Sequence, residues 1–328
     1  MQKKVDWQKV LIREKVVDGL RGWLKREGFH EVDTPLLLSI PTTEPYYDLL
    51  ETEIKIFNEA PRKAYLAPSP ELQMKQIVAA GVENIFQISK VMRNNEGRSP
   101  LHNSEFTMLE FYRSRANYRD IMNDLTSMIG EIGRELGHEL AEKKFTKISV
   151  VEAFEKWAKI GKDELLDEKE LLKKAKVKGY EVDKKTTYEE IFNQILSNEI
   201  EPHLGEEGVV FLYDYPAQEA ALAKLTENDE RLAERAELWI EGVEIANIYS
   251  ELIDAEEQEA RIKAEIVECQ RRGKKEITDY DREFVASLGE IEEPLAGVAV
   301  GVDRLAMVFT GASSISEITW FPTESLFK

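Results

Sequence analysis

Three groups of residues carry side chains suited to binding and activating a charged small molecule. In EFTMLEFYRS, alternation along a strand sets Phe106, Met108, Glu110 and Tyr112 on one face and Thr107, Leu109 and Phe111 on the other. An aromatic ring, a carboxylate and a phenol side by side suit a pocket that stacks something flat and binds something cationic. The same pattern also fits a half-exposed strand whose Glu110 faces water. In VEIANIYSE, Ile245, Asn247, Tyr249 and Glu251 share a face if the strand is regular, and two polar groups in an apolar strand are costly to bury without a use. Glu237, Glu241 and Glu244 stand close by, either as oxygen ligands for Mg²⁺ or as a solvated acidic face. Arg304 opens a helix, where the backbone dipole disfavours a cation. It implies a phosphate-like anion bound at that end, or an ion pair with Asp303. His30, His102, His138 and His203 show no metal-ligand spacing with one another or with Cys269, the one cysteine.

These residues need elements to hold them. Val10, Val17, Leu20 and Leu24 recur at helical spacing, and Gly28 follows, so residues 7–27 read as an amphipathic helix. GFHEVDTP leaves it as an extended segment. Pro70 to Gly81 is a second helix, and residues 85–94 and 105–114 are strands joined by the loop NEGRSPLHNS. Residues 118–137 and 150–200 are mostly helical, with the Lys/Glu-rich part around 162–185 expected to be solvated. LWIEGVEIANIYSEL is a strand pair around a Glu241-Gly242 turn. Residues 254–273 form a helix rich in i,i+4 charge pairs, and GVAVGVDRLAMVFTG is a strand running into a helix at Gly301. Helices interspersed with hairpin-like strand pairs predict an α+β fold with a mostly antiparallel sheet.

Charge narrows the partners. The 328 residues sum to −19, with a pI near 4.9. Residues 1–120 hold 18 Lys+Arg against 17 Asp+Glu, a net of +1, so all of the net negative charge lies in the remainder. A protein gripping a long nucleic acid shows a basic stripe; the modest cationic share of the first third suits a compact anion such as a nucleotide phosphate instead. No apolar run is long enough to span a bilayer, and the charged start is unlike a secretory signal. One cysteine fits a reducing compartment, so a cytoplasmic location is expected.

Three segments, GFHEVDTP at 28–35, FQISKVMRNNEGRSPLHNSEFTMLEFY at 86–112 and GVAVGVDRLAMVF at 297–309, resemble in order the three signature motifs of class II aminoacyl-tRNA synthetases. HNSEFTMLEFYR and EGVEIANIYSEL resemble the lysine branch. Ser69 in APSPELQMK and Ala299 in GVAVGVDR resemble the lysyl-tRNA synthetase-like family that ligates (R)-β-lysine to elongation factor P. The resemblance implies a single catalytic domain over 1–328, with a mostly helical insertion at about 150–205 and no anticodon-binding domain, since the opening helix begins at residue 7.

The resemblance also implies roles for individual residues. Arg93 and Arg304 are the catalytic pair. Arg93, Glu96, His102, Asn103, Phe106, Glu244 and Arg304 bind ATP, with Arg98 a further phosphate contact because Leu101 replaces a basic or aromatic residue. Ser69, Glu71, Glu110, Tyr112, Asn247, Glu251 and Ala299 surround the amino acid, and Glu237 and Glu244 hold Mg²⁺. Regular alternation would put Glu244 on the face opposite Asn247, so that metal role requires a bulge near Gly242. The implied reaction is formation of an aminoacyl adenylate from ATP and lysine or (R)-β-lysine, then attack by a lysine amine of elongation factor P, in a homodimer. The alternatives are a stand-alone ligase acting on a small amine, and a catalytically silent regulatory subunit.

Overall fold

The computed structural model describes residues 5–95, 99–291 and 294–327. They pack as two compact units. The first contains the residues up to Arg115, Ile253–Leu295 and Ala299 onward. Helix α1 (Trp7–Arg26) starts where the Asp6 carboxylate accepts the Gln8 amide, and it buries Val16, Leu20, Trp23 and Leu24. The stripe is the one expected at Leu20 and Leu24, but it runs through Val16 rather than Val17. The extended segment after it is β1 (His30–Glu31), followed by β2 (Leu37–Leu38), β3 (Glu51–Ile54) and β4 (Arg62–Leu66). Helix α2 (Glu71–Ala79), β5 (Ile85–Met92) and β6 (Glu105–Ser114) complete the front of the chain. β1 runs parallel to β5, and β5 pairs antiparallel with β6, with Gln87 opposite Glu110 and Val91 opposite Phe106. β2, β4 and β3 form a separate antiparallel sheet.

An ion-pair network ties this unit together. Arg13 of α1 donates through Nε to Asp303 Oδ1 at 2.8 Å and through Nη2 to Thr107 Oγ1 at 2.7 Å. Asp303 Oδ2 accepts the Thr107 amide at 2.7 Å. Asp303 is 4% exposed, so these bonds supply the partners a buried carboxylate needs. They fix the helix Val302–Thr310 against β6.

The second unit is residues 116–252 with Ala296–Val298. Helix α3 (Tyr118–Leu136) is opened by an Asn117/Asp120 capping box and closed by Gly137 in the left-handed conformation. Strands β7 (Thr146–Ser149), β8 (Val209–Pro216), β9 (Leu232–Ile240) and β10 (Val243–Ser250) lie in the order β10-β9-β8-β7, with only β7 and β8 parallel. Between β7 and β8, residues 150–207 form short helices interrupted by π turns at Phe154–Ala158 and Leu196–Ile200. Their apolar sides, among them Phe154, Leu171, Ile191 and Phe192, close over Val210, Leu212, Tyr215 and Trp239 of the sheet. The stretch 162–185, expected to be solvated, keeps its charges outside but sinks Leu165, Leu171 and Ala175 into this core. β11 (Leu295–Gly301) leads into Val302–Thr310. The class is α+β with mostly antiparallel pairing, as the sequence predicts. Among the described residues no helix is long and apolar enough to cross a membrane.

Candidate active site

In the first unit, β6 and the segment leading into α2 gather hydrogen-bonding groups around one carboxylate. Period-two geometry puts Glu110 and Tyr112 on the same side of β6, and the Tyr112 hydroxyl donates to Glu110 Oε1 at 2.5 Å. Ser69, 41 residues earlier, donates to Glu110 Oε2 at 2.7 Å while its oxygen accepts the Glu71 amide at 3.0 Å. Glu110 is only 2% exposed, which excludes the water-facing alternative. Burial, reinforced by the negative charge of Glu71, pushes its carboxyl up to about 8 against the pull of the two hydroxyls and Lys75. Glu71 pairs through Oε1 with the ammonium of Lys75 at 2.6 Å. Ala299, half-buried, lies in β11.

Arg93 follows β5, and its guanidinium lies over the rings of Tyr47 at 4.7 Å and Phe106 at 5.4 Å. Its Nε is buried with no hydrogen-bond partner among the described residues, the arrangement of a cation held flat and still able to serve an anion. Arg304 Nη2 stands 2.7 Å from His102 Nε2, close enough for the guanidinium to donate to the ring nitrogen. The expected alternative, an Arg304 pair with Asp303, is not what forms, because Asp303 is held by Arg13 and Thr107. Asn103 is used locally: Nδ2 donates to the Glu105 carbonyl at 2.5 Å and Oδ1 accepts the Thr323 amide at 2.8 Å. Glu96 and Arg98 lie outside the described residues.

In the second unit the β9–β10 hairpin carries the other group. Glu241 and Gly242 both have positive φ, the backbone of a two-residue type I′ turn. The register shifts between Glu244 and Ala246, so Ile245 is an extra, bulged residue. Cross-strand partners then read Glu244 with Trp239, Asn247 with Glu237 and Tyr249 with Arg235. Directly opposed residues share a face, so the bulge brings Glu244 to the side of Asn247. Ile245 drops out of the face that regular alternation assigns it.

On that face Arg235 donates through Nη2 to Glu237 Oε1 at 2.7 Å, and Trp239 Nε1 donates to Glu237 Oε2 at 3.1 Å. Arg235 also donates to the Glu219 carbonyl at 2.6 Å and stacks over Tyr215 and Tyr249. Burial raises the Glu237 carboxyl, and the charge of Glu244 adds to this against the pull of Arg235. A carboxylate offers about four lone-pair sites, so Glu237 keeps capacity for a cation beyond the bonds from Arg235 and Trp239. Asn247 donates to the Tyr249 hydroxyl at 2.7 Å, and its Oδ1 is buried without a hydrogen-bond partner among the described residues. Glu251 is 4% exposed and bridges to Ala223. No group of three or more His, Cys, Asp and Glu side chains that could hold a metal gathers among the described residues. Glu237 and Glu244 fit Mg²⁺, which uses one or two carboxylates together with phosphate oxygens and water.

Sequence reasoning missed Lys75, Arg235, Trp239 and the Arg13–Asp303–Thr107 network. Arg235 and Trp239 flank Glu237 at the strand period, and Lys75 follows Glu71 by one helical turn, so both signals were present in the spacing.

Residues 2–325 match the family described as tRNA synthetases class II (D, K and N). A lysine–tRNA ligase from Shewanella frigidimarina is 32% identical, and one from Pasteurella multocida 34% identical, each over 95% of the chain. The chain spans 64% and 63% of those two proteins. An elongation factor P–(R)-beta-lysine ligase from Haemophilus influenzae is 32% identical over 99% of the chain and 98% of its own length.

Proposed function

The chain belongs to the class II tRNA synthetases of the D, K and N group, and from that membership we propose that it is an ATP-dependent, AMP-forming aminoacyl ligase. It activates lysine or (R)-β-lysine as the adenylate and passes the acyl group to a lysine side chain of elongation factor P. The observation that carries the reading is the match with the Haemophilus ligase, which runs over nearly the whole of both chains. The buried Glu110–Tyr112–Ser69 cluster supports an ammonium-bearing substrate, since a carboxyl that burial keeps protonated is stabilised as an anion by a further cation beside it.

In this mechanism Arg93, pinned between two rings, holds the α-phosphate beside the substrate carboxylate and stabilises the charge that builds on phosphorus. Phe106 stacks on the adenine, while His102 keeps Arg304 turned toward the nucleotide. Asn103 shapes the loop that carries His102. Glu237 and Glu244 would hold Mg²⁺, which when bound would supply positive charge to offset that of the triphosphate. Ser69, Glu71, Glu110, Tyr112, Asn247, Glu251 and Ala299 bind the amino acid. No enzyme nucleophile is needed, because positioning and charge stabilisation drive both steps. A cytoplasmic homodimer is implied by the same resemblance.

The test is amino-acid-dependent ATP/pyrophosphate exchange with lysine and (R)-β-lysine, then transfer of label to elongation factor P beside small amines. Exchange with one isomer and label on the protein are expected. Absence of exchange with every lysine isomer overturns the reading, and label on small amines alone moves the acceptor to that class.

A further inference from the structure

Lys75 has no part in the mechanism above, yet its side chain is 0% exposed. Lysine is among the residues least often taken fully out of water, and a buried ion pair is a poor source of stability compared with apolar packing. A lysine kept there has a use in holding something else. Its ammonium meets Glu71 Oε1 at 2.6 Å, one turn back along α2. It also stands 5.9 Å from the centre of the Tyr112 ring, whose hydroxyl binds Glu110. Lys75 is therefore beneath both carboxylates of the amino-acid wall. The Glu71 side chain remains 21% exposed, so that carboxylate has one anchored oxygen and one accessible side.

We infer that Lys75 is a positioning residue for substrate specificity: it fixes Glu71 from inside the helix so that Glu71 meets the ammonium near the substrate carboxylate, while Glu110 takes the ammonium at the far end. The ligand class that satisfies both is an amino acid with two ammonium groups. A chain with only the distal ammonium uses Glu110 and gains nothing from Glu71. The inference rests on the ligase reading and deepens it.

The experiment compares wild type with Lys75→Met, Glu71→Gln and the double variant. It measures KM for the activated lysine isomer and for ATP in pyrophosphate exchange, and the inhibition constant of 6-aminohexanoate, which lacks the proximal ammonium. Lys75→Met is expected to raise the amino-acid KM about tenfold or more, the range for a lost charged hydrogen bond, with ATP KM and 6-aminohexanoate inhibition unchanged. Adding Lys75→Met to Glu71→Gln is expected to cost nothing further, because the lysine acts through Glu71. Equal weakening of lysine and 6-aminohexanoate, an unchanged KM, or a further loss in the double variant overturns the inference. If Lys75→Met alone is insoluble, the double variant against Glu71→Gln gives the same decision. Wild type without exchange would instead overturn the ligase reading, a separate result.

Discussion

At Glu110 burial and the proposed binding of an ammonium pull against each other, and the conflict is measurable. Because its carboxyl is pushed to about 8, the ligand-free protein holds the proton at pH 7. The Ser69 and Tyr112 hydroxyls can each turn from donor to acceptor, so the neutral acid stays satisfied. An ammonium ligand favours the anion and must drive that proton off. Affinity for the amino acid is therefore expected to rise as pH increases from 6 and to level off above about 8, following the proton released on binding. Calorimetry at pH 7 in buffers of different ionisation enthalpy should show release of up to one proton per site. Glu110→Gln keeps the shape, and it should abolish both the release and the pH slope while weakening binding about tenfold or more; a slope that survives would assign it to another group. Period-two alternation made Glu110 and Tyr112 legible as neighbours because that spacing is a property of any strand. Ser69 entered only through family resemblance, since no local pattern can report contact across 41 residues. The burial of Glu110 was left open, because strand spacing does not say which side faces solvent.

The hairpin β9–β10 shows what an element adds to its residues. Its Glu241-Gly242 turn was legible, since two strand-like runs flank a Gly that tolerates positive φ. The bulge at Ile245 was visible only as a requirement of the metal assignment, and one extra apolar residue leaves no compositional trace. The structure puts it three residues after Gly242, where it turns Glu244 toward Glu237. β8 is not legible because VVFLYDYP is largely buried and lacks alternation, and β3 is not because its residues are exposed and mostly polar, while in β4 two exposed basic residues precede Ala64 and Tyr65 with no alternation. The turn itself can be tuned. Glu241 sits at φ 50°, where a residue with a Cβ is strained and Asn is tolerated best. Glu241→Asn is expected to raise stability by about 0.5–1 kcal/mol, read as a higher urea midpoint at unchanged slope. Gly242→Val should do the opposite, because φ is +79°, a conformation that strains a β-branched residue. Equal midpoints for the two variants would mean that the turn does not set the hairpin.

For the molecule as a whole, charge bears most directly on the acceptor. The family reading leaves tRNA and protein both open, because its members include ligases named for each. The chain's −19 is concentrated after residue 120, and a phosphodiester backbone approaching that surface gains no counterion release and meets like charge. The front third, which carries Arg93, is near neutral in sum, so it offers no excess of basic residues for a polymer either. Filter binding with bulk tRNA at about 50 mM salt is therefore expected to be no tighter than the roughly micromolar range of non-specific contact. Its salt slope should be shallow, because few phosphates are neutralised. Under the same conditions labelled lysine or (R)-β-lysine should accumulate on elongation factor P. Nanomolar tRNA binding that collapses between 50 and 200 mM salt, the range over which many phosphate contacts are lost, would reassign the acceptor to RNA. That result would leave untouched the proposals of adenylate formation and of Glu110 as a ligand of the amino acid.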